Sequence, residues 1–167
     1  MVRKISSWVR HLILAPFGWR RAFPASVLGA IEKAVTASEK NHGGEIRFAV
    51  EGALPGVALW RKMDPRTRAL RVFSDLRVWD TERNTGVLIY VNWADRDVEI
   101  VADRGYNAVV HPGEWEAVCA AMEAHYRDGR FKAGSLAGIE GVARVIAHHF
   151  PPDAHNPNEL PDKPVVL

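Results

Sequence analysis

The hydrophobic pattern is most distinctive in residues 85–103, where two apolar segments follow one another. The segment GVLIYV is an apolar run without alternation, which predicts a strand that is buried on both of its faces. The segment DVEIVA comes soon afterwards, and the short ADR connection between the two favours a β-hairpin. We therefore predict two antiparallel strands that are neighbours in one sheet.

A helix and a further strand are predicted upstream of this pair. FPASVLGAIEKAVTASEKNHGG keeps one apolar face at helical spacing, with Pro24 near its first turn and Gly43-Gly44 as its stop signal. EIRFAVEGAL then alternates apolar residues with Glu45, Arg47 and other charged residues, as a β-strand does.

Three more helices are predicted from apolar residues at helical spacing. DPRTRALRVFSDL starts with the pair Asp64-Pro65, a common helix start, and places Leu70, Phe73 and Leu76 on one side. The other two helices are expected at residues 113–128 and 134–150. Their inward-facing residues should be Trp115, Val118, Cys119, Met122, Tyr126, Leu136, Ile139, Val142 and Ile146.

The order of these elements predicts an α/β fold, with a mixed β-sheet of about four strands and helices on both faces. The first strand, the crossing helix and the GVLIYV strand form a βαβ unit, so these two strands should be parallel and their crossover right-handed. A single core is expected, because a chain of 167 residues is long enough for one good core and rarely for two.

This topology brings polar residues from distant parts of the chain to one edge of the predicted sheet. The first and second strands start at this edge, and the third strand ends there. Glu45, the loop 80–84 and the pair Asp103-Arg104 should therefore converge. The hairpin turn, with its two aspartates, lies at the opposite edge.

Composition and charge narrow the functional classes. The formal net charge of +2 is too close to neutral to indicate nucleic-acid binding through the field of the protein, so we expect no nucleic-acid partner. The single cysteine, Cys119, excludes an internal disulfide and fits a reducing compartment. No pattern typical of a secretory signal or a membrane span is present in the sequence, and we therefore expect a cytoplasmic protein.

The first 22 residues differ from the predicted domain, which spans residues 23–150. Residues 1–22 form a basic arm that contains Trp8, Trp19 and several arginines. Such a mixture suits peripheral contact with a membrane or docking to a protein partner, and the alternative is packing onto the chain's own domain. Pro16 and Gly18 should prevent a helix there.

The last residues, 151–167, form a proline-rich tail that should be irregular except at its end. An extended tail that ends in VVL can add a strand to a sheet edge, either its own or a partner's. The alternative is a frayed terminus without a binding role.

Several segments of the chain carry a resemblance to a known family. In order, they are GGEIRFAV, NTGVLIYVNWADRDVEIVADRGYNA and, after a helix, YRDGRFKAGSLAGIEGV. Together they resemble the TPM domain family of bacterial and chloroplast proteins over residues 23–150. The resemblance implies a three-layer α/β/α sandwich and binding of a divalent metal, calcium. It also implies acid phosphatase activity for some members and a role in assembly for others.

Two departures from the family pattern bear on chemistry. Family members commonly have T-G-x-G after the third strand, where this chain has Asp103-Arg104 followed by Gly105. They also commonly start the next helix with a Thr-Asp pair, and His111-Pro112 stands there in this chain. A metal carboxylate contributed from that second place is therefore missing.

The carboxylates at the converging edge are the candidate metal ligands. Calcium takes six to eight oxygen ligands, and magnesium is the other hard cation that carboxylates bind. The expected ligands are Glu45, Asp80, Glu82, Asn84 and Asp103. The alternative is that these are solvated charges, some of them paired with Arg83 or Arg104. Asp95 and Asp97 at the hairpin are secondary metal candidates, with a purely turn-shaping role as the alternative.

Two functional hypotheses follow from these residues and the resemblance. The first is an adaptor or assembly module that binds Ca²⁺ or Mg²⁺ and contacts an unknown protein partner through its arm or its tail. The second is a metal-assisted acid phosphatase that hydrolyses phosphomonoesters. Its catalytic candidates are Asp103, Arg104 and Arg47. Asp103 belongs to the edge that would hold the metal, and the two arginines could supply the positive charge that phosphoryl transfer needs. We prefer the first, since no DxDx, Cys-x5-Arg or Ser-His-Asp motif identifies a nucleophile.

Overall fold

A computed structural model describes residues 15–52, 63–153 and 156–167 of the chain. The helices and strands are α1 (Ala15–Ala22), α2 (Ala25–Ser38), β1 (Glu45–Glu51), α3 (Pro65–Asp75), β2 (Gly86–Asn92), β3 (Asp97–Ala102), α4 (Pro112–Arg127), α5 (Phe131–His149) and β4 (Val165–Val166). Two 3₁₀ turns, Glu39–Asn41 and Arg104–Tyr106, follow α2 and β3. This arrangement confirms the predicted α/β fold class.

The four strands form one mixed sheet in the order β3-β2-β1-β4. β1 and β2 are parallel, with Glu45 opposite Gly86 and Glu51 opposite Asn92. β2 and β3 are antiparallel, and the two-residue strand β4 pairs in parallel with the outer edge of β1. The parallel pair joined through a helix and the β-hairpin were both predicted correctly.

Helices lie on both faces of the sheet, so the structure has three layers. One face packs against α2, α4 and α5, and the buried residues there form the larger core. The second face is covered by α3 and by the C-terminal tail, whose Leu160 is buried in the smaller core. As a result, every residue of the two central strands is buried, as the GVLIYV run predicted for β2.

The prediction that Pro16 and Gly18 would break a helix in the basic arm was wrong, because α1 spans Ala15–Ala22. Pro16 lies in the first turn of α1, where its missing N–H has no intrahelical partner to lose. Gly18 lies against the ring of Trp93, and a β-carbon there would collide with that ring. Trp19 packs onto the main core, while residues 1–14 of the basic arm lie outside the described residues. Among the residues that the structure does describe, no helix combines the length and apolarity needed to cross a bilayer.

The apolar face predicted for α3 was wrong at one position. Leu70 is 48% exposed, and the helix buries Ala69 and Val72 instead. The start of this helix agrees with the prediction, since the Asp64 side chain accepts a hydrogen bond from the Thr67 backbone N–H at 3.1 Å. The buried face of α3 is therefore rotated around the helix axis relative to the face predicted from its largest apolar side chains.

The last two helices pack closely because one of them presents small residues. α5 starts at Phe131, three residues before the predicted position, and its first turns bury Gly134, Ser135 and Gly138. A β-carbon at Gly138 would collide with Met122 of α4. The close approach of α4 and α5 thus depends on small residues, which a search for apolar residues at helical spacing does not find.

A buried ion pair attaches α3 to the sheet. The Glu51 side chain is 1% exposed and lies at the end of β1. Arg68 on α3 donates to it through two nitrogens, with Nη2–Oε1 at 2.8 Å and Nε–Oε2 at 2.9 Å. The Tyr90 hydroxyl of β2 donates to the same carboxylate. Such a bidentate pair compensates a charge that would otherwise be costly to bury.

We predict that Arg68→Ala lowers the free energy of unfolding by about 3 kcal/mol, because it leaves the Glu51 carboxylate buried without its cation. Urea unfolding at neutral pH measures the change. Arg71→Ala on the exposed side of the same helix is the matched control and should stay within about 0.5 kcal/mol of the wild type. A loss for Arg68→Ala no larger than that of the control would contradict the role given to this pair.

Candidate functional site

The chain segments predicted to converge meet at the amino-terminal edge of β1 and β2. The Glu45 backbone N–H donates to the Thr85 carbonyl at 3.1 Å, and the Asp103 N–H donates to the Gly86 carbonyl at 2.9 Å. Arg104 Nε donates to Asn84 Oδ1 at 2.8 Å, which joins the loop before β2 to the turn after β3. The topology inferred from the sequence therefore places these backbones correctly.

At this edge, one oxygen of the Asp103 carboxylate lacks a hydrogen-bond partner among the described residues. Its Oδ1 accepts the Arg104 backbone N–H at 2.7 Å and so caps the 3₁₀ turn. Its Oδ2 is buried and has no hydrogen-bond partner among the described residues. Because a buried polar atom without a partner is unusual, this oxygen is the strongest candidate donor to a ligand at the edge.

The other members of the predicted metal set are more dispersed. Asp80 and Glu82 are exposed on the loop before β2, and the Glu82 backbone N–H is taken up by Glu159 Oε2 at 2.8 Å. The Asn84 amide oxygen is engaged by Arg104. Within residues 15–52, 63–153 and 156–167, no group of three or more His, Cys, Asp or Glu side chains is placed to hold a metal ion. The metal set therefore stays a prediction.

The Glu45 side chain faces a cavity of about 440 Å³ between the end of α2 and the C-terminal tail. Its Oε2 accepts the Leu160 backbone N–H at 3.1 Å. Glu39 also lines the cavity, and its Oε1 accepts the Ile46 backbone N–H at 2.9 Å. Asp153 and Asp162 of the tail are the other two acidic residues that line this space. Carboxylates from a helix, a strand and the tail thus share one cavity.

Burial changes the ionisation of two of these groups. Desolvation raises the pKa of the Glu39 carboxyl to about 8, and the nearby Glu45 and Asp162 carboxylates add to the rise. Desolvation likewise raises the pKa of Glu45 to about 7, partly offset by the backbone hydrogen bond from Leu160. The cavity therefore takes up protons near neutral pH, at which an exposed carboxylate is fully charged.

Arg47, one of the catalytic candidates, is hydrogen-bonded to the tail. The residue is 6% exposed, and its side chain lies on the same face of β1 as that of Glu45. Nη1 donates to the Pro161 carbonyl and, at 3.3 Å, to the Lys163 carbonyl. Desolvation lowers the pKa of Arg47 from its ordinary value, and the Asp162 carboxylate opposes that effect. This arrangement gives Arg47 a peptide-binding geometry and offers no support for a contact with a phosphoryl group.

The hairpin aspartates lie at the opposite edge of the sheet. Asp95 Oδ2 accepts the Asn92 side-chain N–H at 3.1 Å, within a turn in which Arg96 takes a left-handed backbone conformation with φ of 56°. Burial, followed by the charge of Glu99, raises the pKa of Asp97 to about 6. These two residues are a strand length away from Asp103, so they cannot complete a site with it.

Sequence reasoning missed Glu39 and Asp162 as members of the cavity. One signal pointed to Glu39, because Val27, Ile31 and Val35 occupy every fourth position of α2 and Glu39 continues that apolar stripe. A carboxylate on a core-facing stripe indicates a buried, functional or structural charge. Asp162 gave no comparable signal, because its place depends on how the tail returns to the sheet.

The family model of the TPM domain matches residues 21–145. The chain belongs to the TPM domain family. This TPM domain is similar to the BA42 protein of the psychrophilic bacterium Bizionia argentinensis, whose NMR structure shares 33% sequence identity. That similarity covers 86% of this chain and 94% of BA42, with a TM-score of 0.75.

Two more distant similarities add less. The N-terminal domain of a P. gingivalis protein, solved by solution NMR, is 17% identical, with 78% of this chain and 82% of that domain covered at a TM-score of 0.60, and it shows the fold alone. The DNA damage-binding protein cmr1 of Neurospora crassa is 32% identical over 86 residues, which are 52% of this chain. The TPM chain spans only 16% of the length of that curated relative, so the DNA-damage binding in its name is not assigned to this chain.

The raised pKa of Glu39 predicts a specific pH dependence of stability. Because the folded state holds this proton more tightly than the unfolded chain, its contribution is full below pH 4.5 and is lost as the pH rises towards 8. Glu39→Gln removes the titration and keeps an oxygen that can accept the Ile46 N–H. We expect the variant to gain about 2–4 kcal/mol relative to the wild type between pH 5 and pH 9, at 1.36 kcal/mol per unit of pKa.

Urea unfolding across this pH range measures the gain. Glu116→Gln, a change of the same type at an exposed position on α4, is the control and should follow the wild-type profile. Parallel profiles for the wild type and Glu39→Gln would show that the buried carboxyl does not titrate as stated.

Proposed function

We propose that this TPM-domain protein is a binding module without catalytic activity, which takes up Ca²⁺ or Mg²⁺ at the amino-terminal edge of β1 and β2 and holds a protein partner. The observation that carries the proposal is the buried, unpartnered Oδ2 of Asp103. An anionic oxygen in this position gains most from a cation, because no hydrogen bond from the residues that the structure describes compensates it.

Glu45 is the second carboxylate available to such a cation. It lies at the start of β1, and both Glu45 and Asp103 act electrostatically on the buried Tyr106 hydroxyl, whose pKa is raised first by desolvation and then by these two charges. Tyr106 itself donates to the Thr85 carbonyl at 2.8 Å, in the middle of the converging segments. Both carboxylates therefore lie within electrostatic range of the Tyr106 hydroxyl, which supports their assignment to one cation.

The expected coordination is incomplete on the protein side. Mg²⁺ commonly keeps several waters and binds through one or two carboxylates, whereas Ca²⁺ accepts carbonyl oxygens and water beside carboxylates. A site built on Asp103 and Glu45 fits either ion, with weak rather than tight binding. Asn84, Asp80 and Glu82 are outer candidates, available only if the loop before β2 changes its present contacts.

The phosphatase alternative has less support from the side chains. Arg47 binds carbonyls of the tail, and Arg104 donates to Asn84. Asp103 is the remaining catalytic candidate, and by itself it supplies neither a positioned nucleophile nor a clamp for phosphoryl oxygens. We therefore assign the edge to binding and expect no hydrolysis of p-nitrophenyl phosphate above that of a matched blank.

The cation proposal is tested by thermal unfolding of the full chain, stripped with chelator and titrated with CaCl₂ or MgCl₂. A ligand of the folded state raises the unfolding temperature by mass action, so a concentration of tenfold Kd should stabilise by about 1.4 kcal/mol. For a chain of this size that corresponds to about 3–5 °C. Asp103→Asn should abolish the rise, because it replaces the anionic oxygen by a neutral amide.

Asp75→Asn, at the exposed end of α3, is the matched control and should respond to the cation as the wild type does. Absence of a shift with either ion at 10 mM, or the same shift in Asp103→Asn as in the wild type, would overturn the cation site. Turnover of p-nitrophenyl phosphate that follows cation occupancy would instead favour the phosphatase.

A further inference from the structure

The C-terminal tail lies along the sheet in the way a bound peptide does. At its start, Asn156 Nδ2 donates to the Glu39 and His42 carbonyls, both at 3.0 Å. Further along, the Leu160 N–H donates to Glu45 Oε2, and its side chain is buried in the smaller core. The end pairs with β1 in parallel, and the Leu167 N–H donates to the Val50 carbonyl at 2.9 Å.

The rest of the domain contacts the tail mainly through the tail's backbone. Arg47 donates to the carbonyls of Pro161 and Lys163, one and three residues after Leu160. Only Leu160 and Pro164 of residues 156–167 are buried, so side-chain recognition is confined to two apolar anchors. Backbone hydrogen bonds combined with a few side-chain pockets are typical of peptide recognition by strand addition.

Few buried side chains hold the tail in place, compared with the rest of the fold. β4 has two residues, and most of the tail's other side chains are exposed. The larger core lies on the opposite face of the sheet, so release of the tail leaves it covered. Segments with few buried contacts open at the lowest free-energy cost in a structure.

We propose that the outer edge of β1 is a peptide-binding groove, which accepts an extended segment of a partner protein in place of the chain's own tail. The segment it fits has a leucine for the apolar pocket, free carbonyls one and three residues later for Arg47, a proline at the fourth position and a pair of β-branched residues for pairing with β1. The tail is the competing intramolecular occupant. The inference rests on the adaptor role proposed above, and it needs none of the cation chemistry.

A labelled synthetic peptide, NPNELPDKPVVL, tests the groove directly, because it reproduces residues 156–167. The wild-type chain should bind it weakly, since its own tail is present at a high effective concentration. The full chain with Leu160→Asp, which removes the apolar anchor of the tail, should bind the peptide at least tenfold more tightly, as measured by fluorescence anisotropy. A peptide with the same leucine replaced by aspartate should not bind.

The groove side is tested by a second change in the Leu160→Asp background. Arg47→Ala should weaken peptide binding at least tenfold, because it removes the donor to two peptide carbonyls. Arg71→Ala, also an arginine-to-alanine change but on the exposed side of α3, should leave the affinity unchanged. Near-UV circular dichroism verifies the fold of each variant. Val165→Asp, which places a charge in the strand pairing and beside the smaller core, replaces Leu160→Asp if that variant does not fold.

The outcomes separate this inference from the others. No binding of 1 mM peptide to a natively folded, tail-weakened variant, or equal affinity for the aspartate peptide, would overturn the groove. A concentration-dependent dimer of the wild type, seen by light scattering and lost in Leu160→Asp, would assign the groove to the tail of a second copy and overturn the foreign partner. A cation-induced rise in unfolding temperature without peptide binding would support the cation site and contradict only the peptide-binding groove.

Discussion

The fold depends on burying both faces of the central strand β1, although that strand carries Glu45, Arg47 and Glu51. A charge taken out of water must be paired or hydrogen-bonded, and these three side chains point to the second face of the sheet, where α3 and the tail lie. Glu51 takes its partner from α3. Glu45 and Arg47 take theirs from the backbone of the tail. The composition of the second layer is therefore fixed by the polar residues of one strand, whereas the first layer follows ordinary apolar packing.

This division links the candidate cation edge to the tail through Glu45. The carboxylate of Glu45 accepts a peptide N–H of the tail while its strand begins at the edge that Asp103 also borders. Arg47 stands two residues further along the same face and is oriented by tail carbonyls. Any partner that displaces the tail must therefore satisfy both an acceptor and a donor that are already buried. That requirement selects for an extended backbone, since a helix offers neither group laterally.

Sequence patterns predicted the elements whose burial follows from local composition. The GVLIYV run predicted β2 as a central strand, and the Asp64-Pro65 pair located the start of α3. The alternation in β1 predicted a strand correctly, but alternation does not by itself show that both faces of the strand are covered. The covering tail is more than a hundred residues away in the chain, and the cavity it closes with Glu39 therefore had no local signature. The spacing of residues in the sequence predicts local elements, but it does not predict where a distant segment such as the tail packs.

At the two places where the chain departs from the family pattern, hydrogen bonds keep the local structure in order. At the start of α4, His111 Nδ1 accepts the Gly113 N–H at 3.1 Å and Glu114 Oε1 accepts the His111 N–H at 3.0 Å, so the helix is capped without a carboxylate at the first position. After β3, Tyr106 is buried and fixes the turn through the Thr85 carbonyl. The residues at both positions therefore fix the ends of secondary-structure elements. A structural role of this kind is compatible with the binding module that we propose, and it needs no metal ligand at either position.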